Sequence, residues 1–210
     1  MYKRDNKKIA KFILKDADNT VIGITFVLGT IQNALSNMGK FMNGVAHDGA
    51  DSISMTMKRK GYLYAIEHKH VLHEALKAAV KHNDPVGAID VLTNVPMLGV
   101  VKAAFVAQLA GLDVACLDSH NLNRLGLSET AFKLNKNVKR ETKLKKIQTY
   151  VTYTQETGGS EYWWDIWCNF VAGNRGNKKL TTGDMVSKYH ADCIIGSPFT
   201  RLVTAFPSVE

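Results

Sequence analysis

The stretch Val95-Pro96-Met97-Leu98-Gly99 separates two apolar runs of helical pattern, Asp84 to Thr93 and Val100 to Leu109. A connection this short leaves one option there, two helices joined by a tight turn. Pro96 restricts the residue before it and helps to end the first helix. Gly99 is expected to supply a positive φ and room for another backbone to come close. The second helix starts directly after Gly99, so its unbonded N–H groups and the positive end of its dipole face the turn. Such a turn holds a phosphate oxygen without any charged side chain.

Helical patterning continues on both sides. A short amphipathic helix is expected over Lys7 to Asp16. Asn19 and Thr20 offer caps for a nearly all-apolar, hence buried, helix from about Val21 to Leu35. Three glycines make Gly39 to Asp51 read as a loop, followed by a short basic piece from Ser52 to Lys60. Gly61 to Asn83 reads as one helix with Leu63, Ile66, Leu72, Leu76 and Ala79-Val80 on an apolar stripe. Beyond Asp118 the pattern predicts a short helix to Leu125, another starting at Ser128-Glu129, and a Lys/Arg-rich segment from Asn135 to Lys146. A buried helix over Ile147 to Gln155 and an aromatic one over Ser160 to Ala172 flank the breaker Gly158-Gly159. A basic loop, Gly173 to Lys179, and a last helix from Thr182 to about His190 complete the pattern. The sequence contains no internal repeat, heptad run or strand pair, and the expectation is an all-α protein.

The hairpin and the segment after it resemble the helix-hairpin-helix (HhH-GPD) DNA glycosylase superfamily, the group of endonuclease III-like and adenine-mismatch glycosylases. In that family the turn usually reads Leu-Pro-Gly-Val-Gly, and a catalytic Asp comes after the second helix, often as Val-Asp-Thr-His. Here Val95-Pro96-Met97-Leu98-Gly99 takes the hairpin positions and Leu117-Asp118-Ser119-His120 the Asp motif. The specific likeness spans Val95 to Leu127, about a sixth of the chain. Met97 departs from the pattern, since it stands where the first hairpin Gly belongs and a positive φ strains it. The resemblance implies an HhH-GPD DNA glycosylase-like fold in one domain, 1–210, with two helical lobes. One lobe covers about 21–125 with the hairpin at 84–111; the other is formed by 1–20 and 126–210. It also implies double-stranded DNA as the partner, gripped along Pro96, Met97, Leu98, Gly99, Val100, Val101 and Lys102. Gln32 matches the position whose Gln often fills the gap left by an extruded base; a plain polar helix end is the other reading.

Cleaving an N-glycosidic bond develops positive charge on the sugar, which a nearby carboxylate stabilises directly or by activating water. The resemblance gives that role to Asp118; the residue by itself also reads as an N-cap of the next helix. Asp113 is a second carboxylate in the same run. Bifunctional members use a Lys of the second hairpin helix as an amine nucleophile. That position is Val101 here, with Lys102 beside it and turned by about 100°, so the resemblance implies the monofunctional type in which water attacks. A one-residue slip at Met97 would return Lys102 to the nucleophile position; without it Lys102 reads as a phosphate contact. His120 matches the Asp-x-His of the family or packs beneath the hairpin. Gln108, Trp163, Trp164 and Trp167 are the candidate base pocket, flanked by Tyr162 and Asp165. A stacked base is worth roughly 1–3 kcal/mol, although aromatic stripes also build cores. Glu67-x-x-His70 with Glu74 is half of a di-iron helix motif without its second half, so no metal is expected, and His68, His70 and His73 read as a solvated face.

A net charge of +8 and a pI near 9.3 suit a polyanionic partner. Lys58, Arg59, Lys60, Lys102 and the Lys133 to Lys146 cluster are the candidate phosphate contacts. No stretch reaches the about 18 uncharged apolar residues of a membrane span. The N-terminal apolar residues are interrupted by Lys11, Lys15 and Asp16, unlike a signal peptide. Cys116, Cys168 and Cys193 read as reduced thiols. They are too few for the four-cysteine iron–sulfur cluster of many endonuclease III relatives, so no cofactor is expected. The expectation is a cytoplasmic monomer, nucleoid-associated, or in the host cytoplasm if phage-encoded. Its reading is a monofunctional DNA glycosylase that flips out a damaged or modified base. Two alternatives stay open. One is a base-modifying transferase, which would resemble the α-glutamyl/putrescinyl thymine pyrophosphorylases of hypermodified phage DNA. The other is a non-catalytic HhH DNA-binding module.

Overall fold

The computed structural model describes residues 6–33, 37–135 and 137–166. Trp167, Cys168, Cys193, the basic loop from Gly173 and the helix expected from Thr182 lie outside the described residues. In chain order the structure places α1 (Asn6–Ile13), α2 (Ala17–Thr30), α3 (Met38–Asp48), a 3-10 turn (Gly49–Ser52), α4 (Thr56–Glu67) and α5 (Lys69–His82). Next come α6 (Pro85–Leu92), α7 (Val100–Leu109), α8 (Ser119–Arg124), α9 (Arg140–Glu156) and α10 (Gly159–Ile166). The described residues contain no strand, and the protein is all-α.

Helix α2 is the axis of the molecule. It is buried at Ala17 and from Asn19 to Gly29, and from Val21 onward it is nearly all apolar, as its sequence predicts. Helices α3, α4, α5 and α7 all pack on it, α6 lies against α5 and α7, and α9 closes over α6. The buried hydrophobic side chains form one cluster running from Ile9 to Trp163, so residues from both expected lobes share a core.

Both ends of α2 differ from the sequence expectation: the helix stops at Thr30, short of the expected Leu35, with Ile31 as an extended cap. At its start the cap is Asp16, whose carboxylate accepts from the Asn19 amide at 2.8 Å, and the helix begins at Ala17. Asn19 and Thr20 lie inside it and have other partners. The Asn19 side-chain amide donates to the Phe12 carbonyl at 2.9 Å, and the Thr20 hydroxyl contacts the Ile13 carbonyl at 2.9 Å. Thr20 also meets His73 Nδ1 of α5 at 2.8 Å. These buried polar groups pin α1 and α5 to α2, because burial leaves them no water to bond instead. His73 is therefore buried and not part of a solvated face.

Three further readings are corrected. Gly39 to Asp51 is mostly helix, not loop: Gly44 lets α3 pack closely on the turn that follows, since a Cβ there would stand 3.1 Å from Ser52 Cβ. Gly61 to Asn83 is not one helix but the end of α4 plus α5, broken at His68. The His68 ring stacks on Tyr64 at 4.0 Å between centroids, and its Nδ1 lies 3.0 Å from the Tyr64 carbonyl. Asn83, with φ 51°, ends α5 in the left-handed conformation, and Asp84 caps α6 through the Gly87 amide at 2.9 Å with Pro85 in the first turn. Ser128-Glu129 opens a turn and no helix. The basic segment from Arg140 is the first half of α9, continuous with the apolar residues after it.

Candidate functional site

The reversal between α6 and α7 is a tight turn closed by the Leu98 amide on the Val95 carbonyl at 3.0 Å. Pro96 is its second residue, and Met97, with φ 74°, its third, the pattern of a type II turn. The positive φ thus falls on Met97 and not on Gly99, which is extended at φ −74°, ψ 178° and caps α7. Gly99 is exposed, and a Cβ there would meet nothing within 4 Å, so the expected close approach of another backbone is not present within the described residues. The first bonds of α7 go from Lys102 and Ala103 to the Gly99 carbonyl. The amides of Val100 and Val101 therefore have no intrahelical acceptor, as at any helix start. Leu98 and Val100 are buried and anchor the turn, and Pro96, Met97, Val101 and Lys102 are half-buried.

The chain runs from α7 to Asp118 in an extended stretch without a strand partner. Its backbone groups must find partners elsewhere, and they find side chains. The Cys116 amide donates to Gln108 Oε1 at 3.2 Å. The Leu117 amide donates to the Tyr150 hydroxyl at 2.9 Å, which in turn donates to the Ala115 carbonyl at 2.6 Å. Asn121 Nδ2 donates to the Cys116 carbonyl at 3.1 Å, and Gln155 donates to the Asp113 carbonyl at 3.0 Å. Asp118 is fixed at the end of this stretch, half-buried, and its carboxylate accepts from the Asn121 amide at 3.1 Å as the cap of α8. The cap reading of Asp118 is thus realised, and capping places its charge at a defined point.

The charges of Lys102 and Asp118 both act on Cys116. Burial pushes the Cys116 thiol up to about 12; the positive charge of Lys102 opposes that shift and the negative charge of Asp118 adds to it. Burial also pushes the Tyr150 phenol well above its ordinary value, with Cys116 and Asp118 adding to the effect. The Lys102 amine reaches across to α2, 3.3 Å from the Thr30 hydroxyl, and lies 5.7 Å from the Phe105 ring. Lys58 of α4 approaches the same helix end, its amine 3.5 Å from the Gly29 carbonyl and 5.7 Å from the Phe41 ring. Gly61 brings α4 against the hairpin: a Cβ there would stand 2.5 Å from the Pro96 carbonyl oxygen. The hairpin, the C-terminal end of α2 and the start of α4 therefore meet at one place. Gln32 is exposed just beyond α2 with φ 50°.

Of the expected base pocket, the two described side chains, Gln108 and Trp163, are both buried in the core. Gln108 is 1% exposed, and both ends of its amide are engaged, Nε2 on the Ser160 carbonyl at 2.9 Å and Oε1 on Cys116. It holds the Asp118 segment to α7 and α10. Trp163 is 3% exposed, with its indole N–H on the Thr157 hydroxyl at 3.0 Å and its ring edge-on to Tyr162. It fills core and offers no stacking face. His120 and Trp164 lie on α8 and α10, with side chains outside the described residues. Asp113 accepts from the Ser160 amide at 2.8 Å and tethers the start of α10. Among the described residues no group of His, Cys, Asp and Glu could hold a metal ion, and no helix is long and apolar enough to cross a membrane. Tyr150 and Asn121, which do most to position Asp118, carry no motif. The one signal for Tyr150 is its place in an apolar helical segment, where a phenol needs an internal partner. No family model, curated protein or solved structure matches this chain significantly.

Proposed function

We propose that the protein is a monofunctional DNA glycosylase of the helix-hairpin-helix type, acting as a cytoplasmic monomer on double-stranded DNA. The observation that carries the reading is the tight turn between α6 and α7 with its positive φ at the third position, Met97, followed by the helix that bears Lys102, and the Asp118 carboxylate fixed as the cap of α8. In this reading the free amides of Val100 and Val101 hold a backbone phosphate, and Gln32 enters the duplex where the base leaves. The Asp118 carboxylate faces the sugar, stabilising its developing positive charge or orienting water. The positive φ of Met97, 74°, suits the hairpin-glycine position that the resemblance assigns to it and supports the unslipped register, in which Val101 matches the nucleophile position.

The test is incubation with duplexes carrying uracil, oxidised, alkylated or hypermodified bases, with released base detected by mass. Free base and alkali-labile abasic sites are expected, with no covalent adduct on borohydride treatment. An adduct that disappears in Lys102→Gln would make the enzyme bifunctional. Release of pyrophosphate without base would identify the transferase, and tight binding with no product the non-catalytic module.

A further inference from the structure

Lys58 and Lys102 differ from the other well-placed lysines of this protein. Lys69 reaches Asp18 at 2.7 Å, and the half-buried Lys143 reaches Asp90 at 2.7 Å plus a second bond to its carbonyl at 3.0 Å. Lys58 is 6% exposed, deeper than either, and its amine has one long contact, 3.5 Å to the Gly29 carbonyl. The Lys102 amine has one contact at 3.3 Å. An ammonium carries three donors, so among the described residues most of the donors on these two groups have no protein acceptor. No carboxylate of the described residues lies within 4 Å of either amine. The two are also close enough to repel, and burial together with the Lys102 charge holds the Lys58 amine below the ordinary lysine range. Burying one cation beside another without a counter-ion is costly. The carbonyl end of α2 offsets that cost only in part, since a helix end supplies about half a charge.

We infer that Lys58 and Lys102, at the meeting of α2, α4 and α7, form a site for one phosphoryl group, which completes their coordination. A phosphate oxyanion offers several acceptor oxygens and the missing negative charge, and two point charges on flexible stems suit a group presented from varied directions. The site lies beside the hairpin, where the free amides of Val100 and Val101 are a separate place for an anion. The site does not require sugar cleavage, so it can stand if the glycosylase reading fails.

The experiment is titration of the full chain with inorganic pyrophosphate in phosphate-free buffer, read by calorimetry and by the melting temperature. The wild type should bind pyrophosphate and melt at a higher temperature in its presence. Lys58→Met and Lys102→Gln should each weaken binding about tenfold or more. Lys77→Gln, at an exposed position on α5, should bind as the wild type does. Lys58→Met carries a second readout. If Lys58 only caps α2, the substitution lowers the melting temperature without ligand; if it is a cation awaiting an anion, removing it raises that temperature. Competition separates the sources of the phosphoryl group. Displacement of pyrophosphate by an unmodified duplex means a backbone phosphate, whereas simultaneous binding means a phosphoryl group that is free or carried on a base. Either result supports the site. Pyrophosphate binding that is absent, or equal in the wild type and both site variants, would overturn it.

Discussion

Asp118 combines two roles that are separable by charge. Its carboxylate caps α8 on the Asn121 amide, and the proposed chemistry uses the same charge. Asn is as good an N-cap as Asp, so Asp118→Asn should fold, melt within a few degrees of the wild type and bind duplex DNA, yet release no base. Turnover near the wild-type value would reduce Asp118 to a cap. Cys116 makes a second prediction. Its thiol, ordinarily near 9, is pushed up to about 12 by burial. Between those values the folded protein keeps a proton that the unfolded chain has lost, so this group's contribution to stability falls as pH rises. Urea unfolding at pH 8 and pH 10 should show a loss that is smaller in Cys116→Ala. Tyr150 acts in the same direction, while Lys58, held low, acts in the opposite one; comparing variant with wild type isolates the Cys116 part. In the native protein Cys116 should also resist alkylation at pH 8, with peptide mass as the readout.

At the scale of elements, the hairpin is the most legible part of the sequence. Val100–Leu109 is helical as the sequence predicts, because Pro96 and Gly99 bound it on purely local grounds. The conformational detail within the turn is not local. Met97 carries the positive φ because its side chain packs against the core while its neighbours Val95 and Leu98 are buried, and packing outweighs a strain of about 1–2 kcal/mol. Helix α3 is illegible for a related reason: Gly44 marks a close approach to Ser52, which composition does not distinguish from a loop. The cap of α2 is equally hidden, because Asn19 and Thr20 have tertiary partners that no local pattern reveals. Gly61 is the most testable of these contacts. A methyl there would meet the Pro96 carbonyl oxygen at 2.5 Å, backbone that has little room to yield. Gly61→Ala should lower stability in urea by about 1–3 kcal/mol and weaken duplex binding, since it pushes α4 off the hairpin. Unchanged values for both would mean the hairpin is looser than this packing implies.

At the scale of the molecule, helical class and basic character are readable from the chain, and the way its charges divide is not. The +8 net charge says only that a polyanion is suited. The structure sorts the basic residues of α9 into two kinds. Lys143 is bound to Asp90 at 2.7 Å and holds α9 on α6, whereas Lys139, Arg140 and Lys145 are exposed. The two kinds make opposite predictions. If the exposed set contacts DNA, Lys145→Gln should weaken binding of any duplex alike, flatten the slope of log affinity against log salt by about 0.9, and leave the melting temperature unchanged. Lys143→Gln leaves a half-buried Asp90 without its partner, so it should cost roughly 1–3 kcal/mol of stability and leave the salt slope as it was. Fluorescence anisotropy between 50 and 200 mM salt (about the range over which phosphate contacts lose most affinity) together with thermal melting measures both. A slope that stays steep when Lys139, Arg140 and Lys145 are all replaced by Gln would move the DNA away from α9. The remaining electrostatic grip would then lie at the meeting of α2, α4 and α7.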